Sequence, residues 1–123
     1  MKGPVVLVVD DEPAIRFLCR VNLELEGYQV VEAGSLGEAR LLIELEPVAL
    51  VLLDMHLGLE RGGALLEELR YREPRIPVVI VTGSPEVEVG AQPVEADAVL
   101  GKPFTIDELM STVQGLVGAA VPR

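Results

Sequence analysis

Five side chains suited to phosphate or metal chemistry stand just beyond apolar runs. Asp10 and Asp11 follow Val5–Val9, Asp54 follows Ala49–Leu53, Thr82 follows Val78–Val81, and Lys102 closes the segment that begins with Ala98–Leu100. Three acids brought together repel, so either some hold a proton or a cation binds among them. Hard oxygen donors of this kind suit Mg2+, which keeps several waters and takes one or two carboxylates plus phosphate oxygens. A single acid after a strand often does no more than cap a helix, but three at strand ends without a cation are hard to account for. Lys102 is one of two lysines, the other being Lys2, while arginine supplies the remaining positive charge. A lysine ammonium is a compact point charge that suits one oxygen among several. Thr82 carries weight only through its neighbours.

These residues share one rim only if the apolar runs are parallel neighbours. Val5–Val9, Ala49–Leu53 and Val78–Val81 are short, continuous and β-branched, as strands buried on both faces are. Tyr28–Glu32 and Ala98–Leu100 are weaker strand candidates. Helical patterns lie between them. Ile15, Leu18, Asn22 and Leu25 share one face of a helix that Gly27 ends. Leu36, Ala39, Ile43 and Leu45 predict a second helix stopped before Pro47, and Leu65, Leu66 and Leu69 a third. Ile106, Leu109, Met110, Val113 and Val117 predict the last. Ser35–Glu38 and Thr105–Glu108 both have capping-box form. This alternation predicts an α/β sheet with right-handed crossovers and helices on both faces. In such sheets ligands bind beyond the carboxyl ends of the strands, where the five residues fall. Ser84-Pro85-Glu86 starts a helix that Gly90 and Pro93 close almost at once, so a turn or two at most is expected there.

With 123 residues the chain fits one domain over 1–123, with 118–123 expected as a frayed tail. Apolar residues make up 50% and aromatics only 3%, so the core is built from Val, Leu, Ile and Ala. A net charge of −10 repels phosphate backbones and anionic lipids, which argues against nucleic-acid or membrane partners and favours cations or basic protein surfaces. The sole cysteine, Cys19, permits no intrachain disulfide and reads as a small core residue, which suits a reducing cytoplasm. The apolar stretch near the N-terminus is too short for a signal peptide or membrane span.

Four segments in register, VLVVDDEPAIR, VALVLLDMHL, PVVIVTGS and LGKPF, resemble the signature segments of response-regulator receiver domains. Each alone is weak; four in the family's order and at nearly its spacing are specific, and they cover nearly the whole chain. The resemblance implies a flavodoxin-like, doubly wound, five-stranded parallel sheet of order 2-1-3-4-5, here with a short or irregular helix between the fourth and fifth strands. It implies a two-component signalling module rather than an enzyme with a separate substrate. Asp54 would be the phosphoacceptor, taking the group from a histidine kinase, a histidine phosphotransfer protein or a small acyl phosphate. Asp11 would hold Mg2+ directly, Asp10 largely through water, and Asp54 and the backbone carbonyl of His56 would complete the protein's ligands, with Mn2+ able to substitute. Thr82 and Lys102 would each hold a phosphoryl oxygen, and the Lys102–Pro103 bond would be cis. The side chain of His56, with Ser84, would help set the lifetime of the acyl phosphate. Signalling would run through a downstream protein effector.

Three departures stand out. Gly58 replaces the family's usual proline and Arg61 a common acid, so the loop Leu57–Gly63 is expected to be more mobile than usual. Val99 stands where the family places a switch aromatic, and valine cannot make that aromatic's rotation. With the shortened segment after Thr82, this removes parts of the usual output and dimerisation surface. Two other readings follow: a receiver-fold module that serves protein contact with an atypical output, and an aspartyl-nucleophile phosphatase. The related hydrolases carry a second acid two residues after the nucleophile, where His56 stands here.

Overall fold

The computed structural model describes residues 3–57, 60–83 and 96–118. Five strands, β1 (Val5–Val9), β2 (Gln29–Ala33), β3 (Val48–Asp54), β6 (Val78–Thr82) and β7 (Ala98–Gly101), form one sheet in the order β2-β1-β3-β6-β7. Every pairing in it is parallel. Leaving aside the two-residue strands β4 (His56–Leu57) and β5 (Glu60–Arg61), this is the expected order 2-1-3-4-5.

Four helices cover the sheet among the described residues: α1 (Pro13–Leu25), α2 (Leu36–Leu45), α3 (Gly63–Arg70) and α4 (Ile106–Val117). Side chains alternate across a strand, and the two cores divide accordingly. Val5, Leu7 and Val9 pack with Leu36, Ala39 and Ile43 of α2 and Leu65, Leu66 and Leu69 of α3. Val6 and Val8 pack on the other face with Cys19 and Leu23 of α1 and Leu109 and Val113 of α4. All five residues of β1 and all five of β6 are buried, which is why these runs are continuous rather than alternating.

The buried face of α1 differs from the expected one. Cys19 and Leu23 are buried, whereas Leu18 is partly exposed, Asn22 is half-buried and donates to the Leu18 carbonyl, and Leu25 is 76% exposed. Two stripes at helical spacing were available, and the packed one is Ile15, Cys19 and Leu23. The other, Phe17, Val21 and Leu25, faces outward. Leu45 likewise is exposed rather than part of the buried face of α2.

Thr105 and Glu108 form the full reciprocal capping box. At α2 the box is incomplete: Ser35 accepts from the Glu38 N–H, but the Glu38 carboxylate returns to the N–H of Gly34. Gly27 has φ 98°, the left-handed conformation that ends α1. The loop after β3 holds a two-residue antiparallel pairing, His56 opposite Arg61 and Leu57 opposite Glu60, which the sequence did not foretell. Gly118, at the start of the expected tail, accepts a hydrogen bond from the Tyr28 hydroxyl at 2.7 Å. The short helix expected after Ser84, Ser84 itself, Gly58 and residues 119–123 lie outside the described residues.

Candidate functional site

Parallel strands end together, so the residues after β1, β3, β6 and β7 are delivered to one edge. In register, Val9 lies beside Leu53, Asp54 beside Val81, and Thr82 beside Gly101. Asp10, Asp11 and Asp54 offer carboxylate oxygens that all lie within 4.8 Å of one another. Asp10 and Asp54 are buried, while Asp11 is exposed at the mouth.

Lys102 reaches into this group. Its Nζ is 3.0 Å from Asp10 Oδ2, 3.5 Å from Asp54 Oδ2 and 3.6 Å from Glu12 Oε1. Its backbone N–H donates to the Thr82 carbonyl at 2.8 Å, which ties the ends of β6 and β7 together. The Lys102–Pro103 bond is cis. Thr82 is fully buried at the end of β6. The remaining oxygen of Asp10 accepts from the Glu12 N–H at 2.9 Å, so Asp10 also serves its own turn. The exposed His56 donates its backbone N–H to Asp54 Oδ1 at 3.1 Å.

The electrostatics follow from burial and crowding. Burial pushes Asp54 above the usual carboxylate range, the charge of Asp10 adds to this, and the His56 N–H and Lys102 only partly oppose it. Burial alone would lower Lys102, but its hydrogen bond to Asp10 and the charges of Asp10, Asp54 and Glu12 outweigh that and hold it above the ordinary lysine value. Three acids against one ammonium leave uncompensated negative charge, and every donor is an oxygen. That donor set fits a hard divalent cation. Burial, then Asp10, pushes the Cys19 thiol up to about 11, in keeping with a core residue and not a nucleophile.

Two residues that the sequence did not single out shape this rim. A Cβ built on Gly62 would lie 2.6 Å from the Asp54 backbone carbonyl oxygen and 3.1 Å from Met55 Cα. The Gly62 N–H also donates to the Met55 carbonyl at 2.9 Å. Arg16 donates from Nη1 to the Asp10 carbonyl at 2.6 Å. The arginine was visible in the sequence as one of the positive residues on α1, but nothing in its spacing marked it.

The family model for the response regulator receiver domain matches residues 6–114. The chain belongs to that family. It is 36% identical over 120 residues to the "DNA-binding dual master transcriptional regulator RpaA" of Synechocystis sp., covering 93% of this chain and 49% of that protein. It is 39% identical over 106 residues to the alginate biosynthesis transcriptional regulatory protein AlgB of Pseudomonas aeruginosa, covering 85% of this chain and 24% of that one. The chain thus spans half or less of these relatives. Among solved structures it resembles the receiver domain of NtrX from Brucella abortus, with a TM-score of 0.82, 34% identity and 91% and 97% of the two chains covered. A CheY-like receiver domain protein from Methanospirillum hungatei gives a TM-score of 0.82, 34% identity and 93% of each chain. This chain is thus a receiver domain of the response-regulator kind used in two-component signalling. No helix among the described residues is long and apolar enough to cross a membrane.

Proposed function

We propose that this receiver domain accepts a phosphoryl group on Asp54 from a phosphohistidine, in a reaction that depends on Mg2+. The observation that carries this reading is the placement of Lys102 between two buried acids, Asp10 and Asp54, with Asp11 alongside. Asp10, Asp11, Asp54 and the His56 backbone carbonyl are the groups that would hold the ion. When bound, it neutralises the charge that spreads over the phosphoryl oxygens.

The chain's own residues do the rest. A carboxylate oxygen of Asp54 attacks phosphorus, the P–N bond to the donor imidazole breaks, and its electron pair stays on the imidazole nitrogen. The His56 N–H holds the other Asp54 oxygen, so one oxygen faces the donor. Lys102 exchanges its grip on Asp10 for a phosphoryl oxygen, and Thr82 takes another. Hydrolysis of the acyl phosphate by water returns Asp54.

The donor's histidine must reach Asp54, so the protein carrying it covers the neighbourhood of the rim. Helix α1 leaves that rim at Pro13, and its outer face carries Phe17, Leu18, Val21 and Leu25. Phe17 is 66% exposed, an unusual place for one of two phenylalanines. This apolar stripe is the docking face for the phosphodonor.

A second reading, an output that bypasses the usual aromatic switch, is favoured by Val99. It lies on the edge strand β7, partly exposed, beside Ile80 in register. Phosphorylation would then be felt through Thr82 and the Thr82–Lys102 backbone bond rather than through a turning ring.

The deciding experiment is intact mass after incubation with acetyl phosphate and Mg2+, for wild type and Asp54→Asn. One added phosphoryl group on wild type and none on the variant is the expected result. Unmodified wild type, on a phosphate-affinity gel as well as by mass, refutes the proposal. Turnover of many equivalents of an unrelated phosphoester would instead favour a phosphatase.

A further inference from the structure

The peptide that joins Asp10 to Asp11 lies past the last strand pairing, Val9 with Ala33. Its carbonyl oxygen is taken by Arg16 Nη1 at 2.6 Å, while the Asp10 N–H donates to the Ala33 carbonyl at 3.0 Å. Arg16 is itself held: its Nε donates to Glu32 Oε1 at 3.0 Å, and its side chain is mostly buried. The guanidinium has room because position 34 carries no side chain; a Cβ there would sit 3.2 Å from Arg16 Nη1. Arg20 grips the other oxygen of the same Glu32 and does not touch Asp10.

Asp11 is exposed, and among the described residues no side-chain hydrogen bond or ion pair holds its carboxylate. Its direction is therefore set by its backbone. The Asp10 carbonyl and the Asp11 N–H lie in one rigid plane, so fixing the carbonyl fixes the plane from which Asp11 projects. We infer that Arg16 is a positioning residue for the cation site: by clamping the Asp10 carbonyl against Glu32 it holds the Asp11 carboxylate toward Asp10 and Asp54. This rests on the proposed metal site.

The sign of the effect separates positioning from charge. Removing a nearby positive charge should by itself tighten binding of a cation to an acidic cluster. Loss of orientation should weaken it, as loss of groups that orient metal ligands does, by about tenfold or more. Arg20→Gln is the matched control, because it breaks the other arm of the same ion pair and leaves the Asp10 carbonyl held.

The test is the dissociation constant for Mn2+, read from the EPR signal of the free ion at a temperature where all proteins are folded, with urea midpoints measured alongside. Arg16→Gln should bind Mn2+ about tenfold more weakly than wild type, and Arg20→Gln should bind it as wild type does, even if both lower the urea midpoint. Unchanged or tighter binding by Arg16→Gln overturns the inference, as does equal weakening in both variants. A wild-type protein that binds no Mn2+ overturns the metal reading and the inference with it. Wild-type binding with an indifferent Arg16→Gln removes only the positioning role.

Discussion

Gly62→Ala should harm this protein although the backbone at Gly62 is ideal for alanine. Gly62 has φ −62° and ψ −18°, which any residue adopts, and it precedes α3. On conformational grounds alone, alanine there should stabilise the fold by about 0.4–1 kcal/mol, because it narrows the unfolded ensemble. The added Cβ, however, would lie 2.6 Å from the Asp54 carbonyl oxygen, 3.1 Å from Met55 Cα and 3.3 Å from Leu53 Cγ. Even a close C–H···O contact needs about 3.3 Å, so the β3 end and the start of α3 must separate by about 0.7 Å. Two of the three opposing atoms are backbone and cannot rotate away. Overpacking of this kind costs about 1–3 kcal/mol, which outweighs the entropic gain.

The net expectation is a loss of about 1–2 kcal/mol, or about 4–8 °C in Tm for a domain of this size. The displacement falls on Asp54, the proposed phosphoacceptor, so labelling by acetyl phosphate should slow by about tenfold or more. Gly115→Ala serves as the control. It lies inside α4 and its Cβ would meet nothing within 4 Å, so it should stabilise by about 1 kcal/mol. Urea unfolding and the initial rate of mass gain read both quantities. A Gly62→Ala protein as stable as Gly115→Ala, with an unchanged labelling rate, would refute the close-approach argument.

Three further outcomes are expected. Without divalent metal at pH 7, Asp54→Asn should be more stable than wild type by about 1 kcal/mol, because it removes a buried charge that burial and Asp10 disfavour. Since the folded-state pKa of Asp54 is raised, wild type gains stability as pH falls through it, so the advantage of the variant should shrink on acidification; an advantage that does not vary with pH would contradict this. At 10 mM Mg2+, and with a Kd of about 1 mM, wild type should gain about 1.4 kcal/mol in urea unfolding while Asp11→Asn gains little. Phe17→Asp should cut phosphotransfer from a histidine kinase by about tenfold or more and leave labelling by acetyl phosphate unchanged; equal loss with both donors would show damage to the site instead.

The strand-end residues were legible because their signal is one-dimensional. An apolar run followed by Asp, Thr or Lys can be read along the chain, and parallel pairing then delivers each residue to one rim without further information. The face of α1 was not legible, because the helix carries two apolar stripes and only the sheet decides which is packed. Ile15, Cys19 and Leu23 win since they meet the strand residues of that core, leaving Phe17 and Leu25 outside. Gly62 and Arg16 were invisible for a related reason. Each acts on a backbone carbonyl of an acid several positions away in sequence, and a carbonyl leaves no mark on residue type.

The charge balance at the rim suits a cation beside the lysine. Asp10, Glu12 and Asp54 surround Lys102, and Asp11 adds a further carboxylate, so the group carries an excess of negative charge in a partly buried setting. Lys102 alone cannot balance it, and a dianionic phosphoryl group arriving at Asp54 would make the excess larger. A divalent ion held by Asp10, Asp11 and Asp54 would supply the missing positive charge, and Lys102 would then be free to leave Asp10. Its ammonium, already 3.5 Å from Asp54 Oδ2, then needs only a short shift to meet a phosphoryl oxygen. The Lys102 backbone N–H on the Thr82 carbonyl ties the backbone of the lysine to the end of β6. A displacement of Thr82 would be passed through this bond to the backbone of Lys102, a route that needs no aromatic side chain at Val99.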